Sequence, residues 1–499
     1  MDETTTPMPL HLLETPTPLP EDPTEIAILS DIDESFDFAP HWTPGANQAP
    51  LHWVIETTEA SYEYQFIKGG PLVANDQFVI DWGDGTPSQS HTQNGDASGN
   101  LLLSHTYATA GTYEIKITGK CRAWGGNGGA HSNSHGKCLL RVQSWGDVGL
   151  ESLKYAFART NIYQPKKPIS SITIPNNIPS TVTNLEYAFY SSGVNIKDVG
   201  MWNVENVTNM LGTFSGNLSM RSAEAEQPDL SNWNTGKVTD MGSMFSSSDH
   251  FNGDISEWNT SNVTDMYKMF YYCEKFNQPI GAWNVGKVTR FGGMFSVCKL
   301  FNQELNSWNV TSCLDFTNMF AYCSDFNQPL NNWDMSSVKK LNNMFMSAAK
   351  FNQDIGSWNV ANVERFNSTF RMAHDFNQNL ENWDISFAIE GGGGFGDFLE
   401  NVTLSVANYD ALLVGWSTLD SSSETKIPPN CIFHGGNSKY SSAGESARTK
   451  LIDVHAWQIT DGGLTDEIPP PTPPPVVVTP TPTPTPVVVT PTPTQTNTS

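Results

Sequence analysis

One short segment keeps returning along this chain. It reads FNQELNSWNV at 301–310, FNQPLNNWDM at 326–335 and FNQDIGSWNV at 351–360. The stride is 25 residues, and Trp233, Trp258, Trp283, Trp308, Trp333, Trp358 and Trp383 all keep it. Trp202 precedes them after a six-residue insertion. Phe251, Phe276, Phe301, Phe326, Phe351 and Phe376 share the stride, each followed by an asparagine: Asn252, Asn277, Asn302, Asn327, Asn352 and Asn377. A second phenylalanine column runs through Phe245, Phe270, Phe295, Phe320, Phe345 and Phe370. Self-similarity at a fixed period of this size means units that each solve the same packing problem and bury their apolar faces on one another.

A single copy predicts the shape of the unit. In NVTDMYKMFYYC the apolar Val263, Met266, Phe270 and Cys273 fall at i, i+3, i+7 and i+10, one stripe of a short helix. In IGAWNV, Trp283 and Val285 share a parity and point to one side of a short strand. The position two after Trp is mostly apolar, which turns the indoles inward as a ladder of rings. The alternative, rings facing out as an aromatic strip for sugars, conflicts with that parity. The Asn after Phe predicts a polar ladder satisfying turn backbone in neighbouring coils. One 25-residue coil costs ~25–50 kcal/mol of backbone entropy to order. Its half-dozen large side chains return only ~10–18 kcal/mol, so stacking must supply the remainder. The expected fold is a β-rich α/β solenoid with one short strand and one short helix per coil, leucine-rich-repeat-like.

Composition changes sharply at both ends. Residues 1–48 are rich in Thr, Pro, Asp and Glu and predict a disordered acidic arm. Residues 466–499 form a Pro/Thr tract expected to be an extended polyproline II tail, a stalk or tether. The first residues lack a basic and apolar leader pattern, so no ordinary signal peptide is expected. No run of apolar residues is long enough for a transmembrane helix. The formal net charge of −25 argues against nucleic acid and anionic membranes as partners. Seven cysteines in 499 residues are too few for a disulfide scaffold.

Ahead of the repeats, FVIDWGDGTPSQS and LLLSHTYATAGTYEIKITGK alternate as strands do, with Phe78 and Ile80 on one face and Tyr113, Ile115 and Ile117 on another. Glycines in the GDG turn tolerate positive φ. This region, 49–143, resembles a PKD-type domain, which implies an immunoglobulin-like β-sandwich that leads through Ser144, Trp145 and Gly146 into the repeats and caps them. SITIPNNIPSTVTNLEYAF (171–189) and NVTDMYKMF (262–270), with the alternation of WNV…VT…MF and FNQ, resemble the repeats of BspA-like bacterial surface proteins. That resemblance spans most of 50–465. It implies a repeat domain over 144–403, a C-terminal capping module over 404–465, and a surface location.

Candidate chemistry is sparse. Cys121 and Cys138 flank a glycine-rich loop holding His131 and His135; a candidate disulfide, a zinc site and unpaired thiols all remain open. Cys273, Cys298 and Cys323 occupy a position taken elsewhere by Ser248, Ala348 and Ala373, so they read as small core residues, and Cys313 reads likewise. Asp81 and Asp84 read as turn residues rather than metal ligands. The NVT matches at Asn206, Asn262 and Asn309 belong to the repeat grammar. No nucleophile elbow, zinc helix or phosphate loop is present, and GGGG at 391–394 lacks the Lys and Ser/Thr of a phosphate loop. The expectation is a non-enzymatic protein without cofactors, at the cell surface, extracellular or on a virion. It would adhere to an extracellular protein or glycan, the alternative being a structural spacer or assembly subunit. The candidate binding face is the varying column before each Trp: Glu257, Ala282, Ser307, Asn332 and Ser357.

Overall fold

The computed structural model describes residues 49–466 apart from 59, 70–75, 94–99, 126–137, 161–171, 390, 421–423 and 425. All of these lie in one compact unit, Asn47–Ser499. The expected acidic arm and nearly all of the Pro/Thr tail fall outside the described residues.

The first strands are β1 Leu51–Thr57, β2 Tyr62–Gly69, β3 Asp76–Asp81, β4 Gln89–Gln93, β5 Asn100–Tyr107, β6 Gly111–Gly119 and β7 Leu139–Ser144. They form a five-stranded sheet in the order β4-β3-β6-β1-β7 and a two-stranded sheet β2-β5, with every pair antiparallel. Phe78 and Ile80 of β3 are buried while Val79 between them is exposed, the period of two that puts alternate side chains on one face. On β6, Ile115 and Ile117 are buried in the same way. Trp53 Nε1 donates to Tyr64 Oη at 3.1 Å and ties the two sheets together. In the turn after β3, Gly83 has φ +77°, and a Cβ there would lie 2.3 Å from Glu114 O, so only glycine fits.

Beyond β7 the chain settles into stacked coils. Each coil touches the next through one bridging residue in parallel register: Asn184, Asn209, Asp240, Asp265, Arg290, Asp315, Lys340 and Arg365 in succession. After the bridge the backbone turns repeatedly. In 266–273, the amides of Met269, Tyr271 and Cys273 bond back to the carbonyls of Met266, Lys268 and Phe270. The alternate amides of Met266, Lys268, Phe270 and Tyr272 donate to Arg290, Gly292, Met294 and Ser296 of the next coil. Lys268 and Tyr272 take φ values of 54° and 60°, and the equivalent residues of the other coils are left-handed as well.

This overturns the expected α/β solenoid of one strand and one helix per coil. Among the described residues the regular elements are mostly strands with few helices, and the strands of the N-terminal sheets pair antiparallel. The twelve-residue helices, Val406–Ser417 and Ser442–Asp453, both lie in the C-terminal module. Between 172 and 389 the described residues hold only the 3-10 turn Lys197–Met201, and the Trp segment forms no strand. The physical reason is spacing. Phe245 and Phe270, one coil apart, have ring centroids 5.7 Å apart, whereas packed α-helices need ~8–10 Å between axes. A helix would also spend every amide on its own i−4 carbonyl, leaving none to join coil to coil. The strand fails because Trp258 N bonds back to Ile255 O, a turn, rather than to a neighbouring coil.

α1 Gly392–Phe395 ends the coils, and the C-terminal module contains α2 Val406–Ser417, β8 Ile432–His434, α3 Ser442–Asp453 and β9 Gln458–Thr460, with β8 and β9 parallel. Ser405 caps α2 by accepting from Asn408 N, and Ser441 caps α3 by accepting from Ala443 N. Buried Asp410 of α2 accepts both the amide and the hydroxyl of Ser441, which locks the two helices together.

Candidate functional site

The 25-residue period turns each repeat position into a column, and the columns divide into those facing inward and those facing solvent. The Trp column is interior. Trp258, Trp308, Trp333 and Trp358 are each 3% exposed, and Trp383 is fully buried. Neighbouring indoles lie parallel, as in Trp308–Trp333 with centroids 6.5 Å apart and planes at 0°. Each Nε1 reaches a carbonyl of the preceding coil, for example Trp283 to Ile255 O at 3.1 Å and Trp333 to Leu305 O at 2.9 Å. Trp233 lies on Trp258 at 6.1 Å with planes at 9°. The position two after Trp is buried in every copy, and where it is Thr235 or Thr260 the hydroxyl is spent on Asn259 O or Asn284 O.

The asparagine column is a backbone-to-side-chain ladder. Asn252 Oδ1 accepts the amide of Asn277 at 2.8 Å, Asn277 that of Asn302, Asn302 that of Asn327, Asn327 that of Asn352, and Asn352 that of Asn377. From Asn277 onward a glutamine follows each asparagine and reaches back to the preceding rung, as Gln353 Nε2 does to Asn327 Oδ1 at 2.8 Å. The C-terminal module continues both ladders with different backbone. Asn377 Oδ1 accepts from Ser405 N at 2.8 Å and from Asn408 Nδ2 at 3.0 Å. Trp416 on α2 sends its Nε1 to Leu380 O, one rung beyond the bond from Trp383 to Ile355 O.

The cysteine column is also interior. Sγ of Cys273, Cys298 and Cys323 donates to Phe245 O, Phe270 O and Phe295 O, close to the path by which Ser248 Oγ reaches Phe214 O. Burial raises all three thiols far above their ordinary range and pushes Cys313 up to about 12. These are thiols held out of reaction rather than activated.

The solvent-facing columns are of three kinds. Glu257, Ala282, Ser307, Asn332 and Ser357 are all exposed, and Ser307 Oγ is spent on Gly281 O at 2.9 Å. Charged residues one coil apart pair across the surface: Arg290 with Asp265 at 2.7 Å, Lys299 with Glu274 at 2.7 Å, and Lys350 with Asp325 at 2.5 Å. Exposed pairs of this kind contribute little each. The third column holds Tyr272, Tyr322 and Met372, exposed on left-handed backbone. The pairing and the tyrosines escaped the sequence reading, which followed what repeats; both sit where the copies differ. Opposite charges separated by one stride, such as Asp265 and Arg290, were the available signal.

Between β6 and β7, Cys121 and Cys138 are both buried, and Cys121 Sγ donates to Ala123 O. His131 and His135 lie outside those residues, and no group of three or more metal-binding side chains occurs among the described ones. Asp81 Oδ1 accepts from Gly83 N. Asp84 accepts from Thr86 N, Thr86 Oγ1 and His105 Nε2, the last at 2.7 Å. Burial opposes ionisation of Asp84, but the bonds from Thr86 and His105 outweigh it and hold the carboxyl at about 2. His105 stacks on Trp82 with centroids 5.0 Å apart, so the dyad is packed as turn structure.

The coils match one known family. Residues 151–223, 219–324 and 306–398 fit the model of a family described as Mycoplasma protein of unknown function, DUF285. No curated protein and no solved structure matches the chain. The matched segments tile the coils and begin just after the N-terminal sheets.

Proposed function

We propose that this is a non-enzymatic surface protein that adheres to an extended extracellular partner through the outer columns of its coils. One observation supports the reading most: the interior is filled rung upon rung by parallel rings, thiols and amides already paired with backbone. What the coils offer solvent is therefore a repeated surface, suited to lining up many weak contacts along one partner. The variable column from Glu257 to Ser357 belongs to that surface. The negative charge of the chain steers the choice towards proteins or uncharged glycans.

The test is binding of the purified full chain to surfaces coated with extracellular matrix proteins or with glycans, read by interferometry. Saturable binding to at least one, weakened by charge reversal at Glu257 together with bulky substitutions at Ser307 and Ser357, is expected. Uniformly absent binding, with stoichiometric recovery of the chain in a purified surface layer or particle, would make it a structural subunit instead.

A further inference from the structure

The seventh residue after each bridge residue has left-handed backbone: φ is 57° at Ser247, 60° at Tyr272, 66° at Val297, 60° at Tyr322, 57° at Ser347 and 58° at Met372. Glycine or a small polar residue suits such a site, and Gly216, Ser247 and Ser347 fill it in some coils. Bulky and β-branched side chains there are outliers that cost the fold stability. Yet three consecutive coils carry Tyr272, Val297 and Tyr322, and the two tyrosines are 44% and 47% exposed. Their coils are joined by the bonds Tyr272 N to Ser296 O and Val297 N to Ala321 O, so the two rings stand two rungs apart, ~10 Å. Tyr271 adds a third ring, edge-on to Tyr272 at 4.6 Å, and Lys268 Nζ lies 5.1 Å from the Tyr271 ring.

We infer that Tyr272, Val297 and Tyr322, flanked by Tyr271 and Lys268, form a binding stripe for a linear, uncharged polysaccharide; this rests on the adhesive reading above. A sugar ring has an apolar C–H face and a hydroxyl rim, which a tyrosine matches with its ring face and its phenol. The stripe runs from coil to coil, as a polymer would. A polyanion or a second copy of this chain would meet the −25 charge, whereas a neutral polymer would not. The strain is placed where it exposes apolar rings and does nothing for the core, the pattern of a binding surface rather than of packing. The Trp ladder that first suggests sugar binding is buried, whereas these tyrosines are exposed.

Affinity electrophoresis of the full chain through gels containing mannan, dextran or xylan, with alginate as the charged control, tests the assignment. Retardation by at least one neutral polymer is expected, weakened about tenfold in the double variant Tyr272→Asn/Tyr322→Asn. Asparagine accepts left-handed backbone, so this variant keeps the fold, which a thermal melt checks. Equal retardation of the wild type and the double variant overturns the site, as does retardation by alginate alone or by no polymer. Saturable binding to a matrix protein without response to any neutral polymer removes this stripe but leaves the adhesive reading standing; absence of binding in both assays removes both.

Discussion

Replacing Asn302 by alanine tests whether the asparagine column holds the coils together or merely decorates them. Asn302 Oδ1 accepts two bonds from the following coil, from Asn327 N at 2.9 Å and from Gln328 Nε2 at 3.1 Å. In Asn302→Ala the Gln328 amide can turn to water at little cost. The Asn327 amide is half-buried, and an unsatisfied donor of this kind costs ~1–3 kcal/mol. The expected loss is about 2 kcal/mol, read as a lowered urea midpoint. Hydrogen exchange at the Asn327 amide should quicken by roughly 30-fold, the same energy expressed as a rate through 1.4 kcal/mol per factor of ten. Asn302→Asp keeps the acceptor oxygen and should cost under ~1 kcal/mol. Alanine and aspartate variants of equal stability, or an alanine variant within ~0.3 kcal/mol of wild type, would refute the ladder as an energetic element.

Three further outcomes follow from the same geometry. Asn377→Ala removes the acceptor used by Ser405 N and Asn408 Nδ2. Hydrogen exchange should therefore quicken within α2 while the middle coils stay protected; uniform change across the coils would contradict this. Cys273, Cys298 and Cys323 have thiols raised by burial, so at pH 8 a disulfide reagent should leave them unmodified in the native chain and label them in denaturant. Native labelling at wild-type stability would show that the column is open. Asp84 is depressed from 3.8 to about 2, so its contribution is present above pH 3.8 and lost as the pH falls towards 2. The melting temperature of the N-terminal sheets should drop over that window, and Asp84→Asn should flatten the drop; an unchanged acid slope in the variant would remove Asp84 as its source.

How much of this was legible in the sequence depends on which physical property carried the signal. Columns were legible because identical side chains at one stride must meet identical surroundings, so the direction of the indoles and the rungs of asparagine could be read without knowing the backbone. Alternation was legible in β3 and β6, where Phe78, Ile80, Ile115 and Ile117 are buried at period two. The coil backbone was misread because burial alone cannot fix it. Val263, Met266, Phe270 and Cys273 do face inward together, as a helical stripe requires, but a run of turns with a left-handed residue every fourth position brings the same residues inward.

A discriminating signal was nevertheless present, four residues apart within the supposed helix. Gly212 and Gly216, Ser243 and Ser247, and Asn343 and Ser347 occupy the two left-handed positions of three of the coils, and such pairs are turn formers rather than helix formers. Once those positions are known to be left-handed, their exceptions become informative in the opposite direction. Glycine, serine and asparagine there satisfy the backbone and explain themselves; Tyr272, Val297 and Tyr322 strain it, and none of the three belongs to the buried core. Repetition thus identifies the residues that hold the coils together, and the costly departures from it mark the surface on which a partner should be sought.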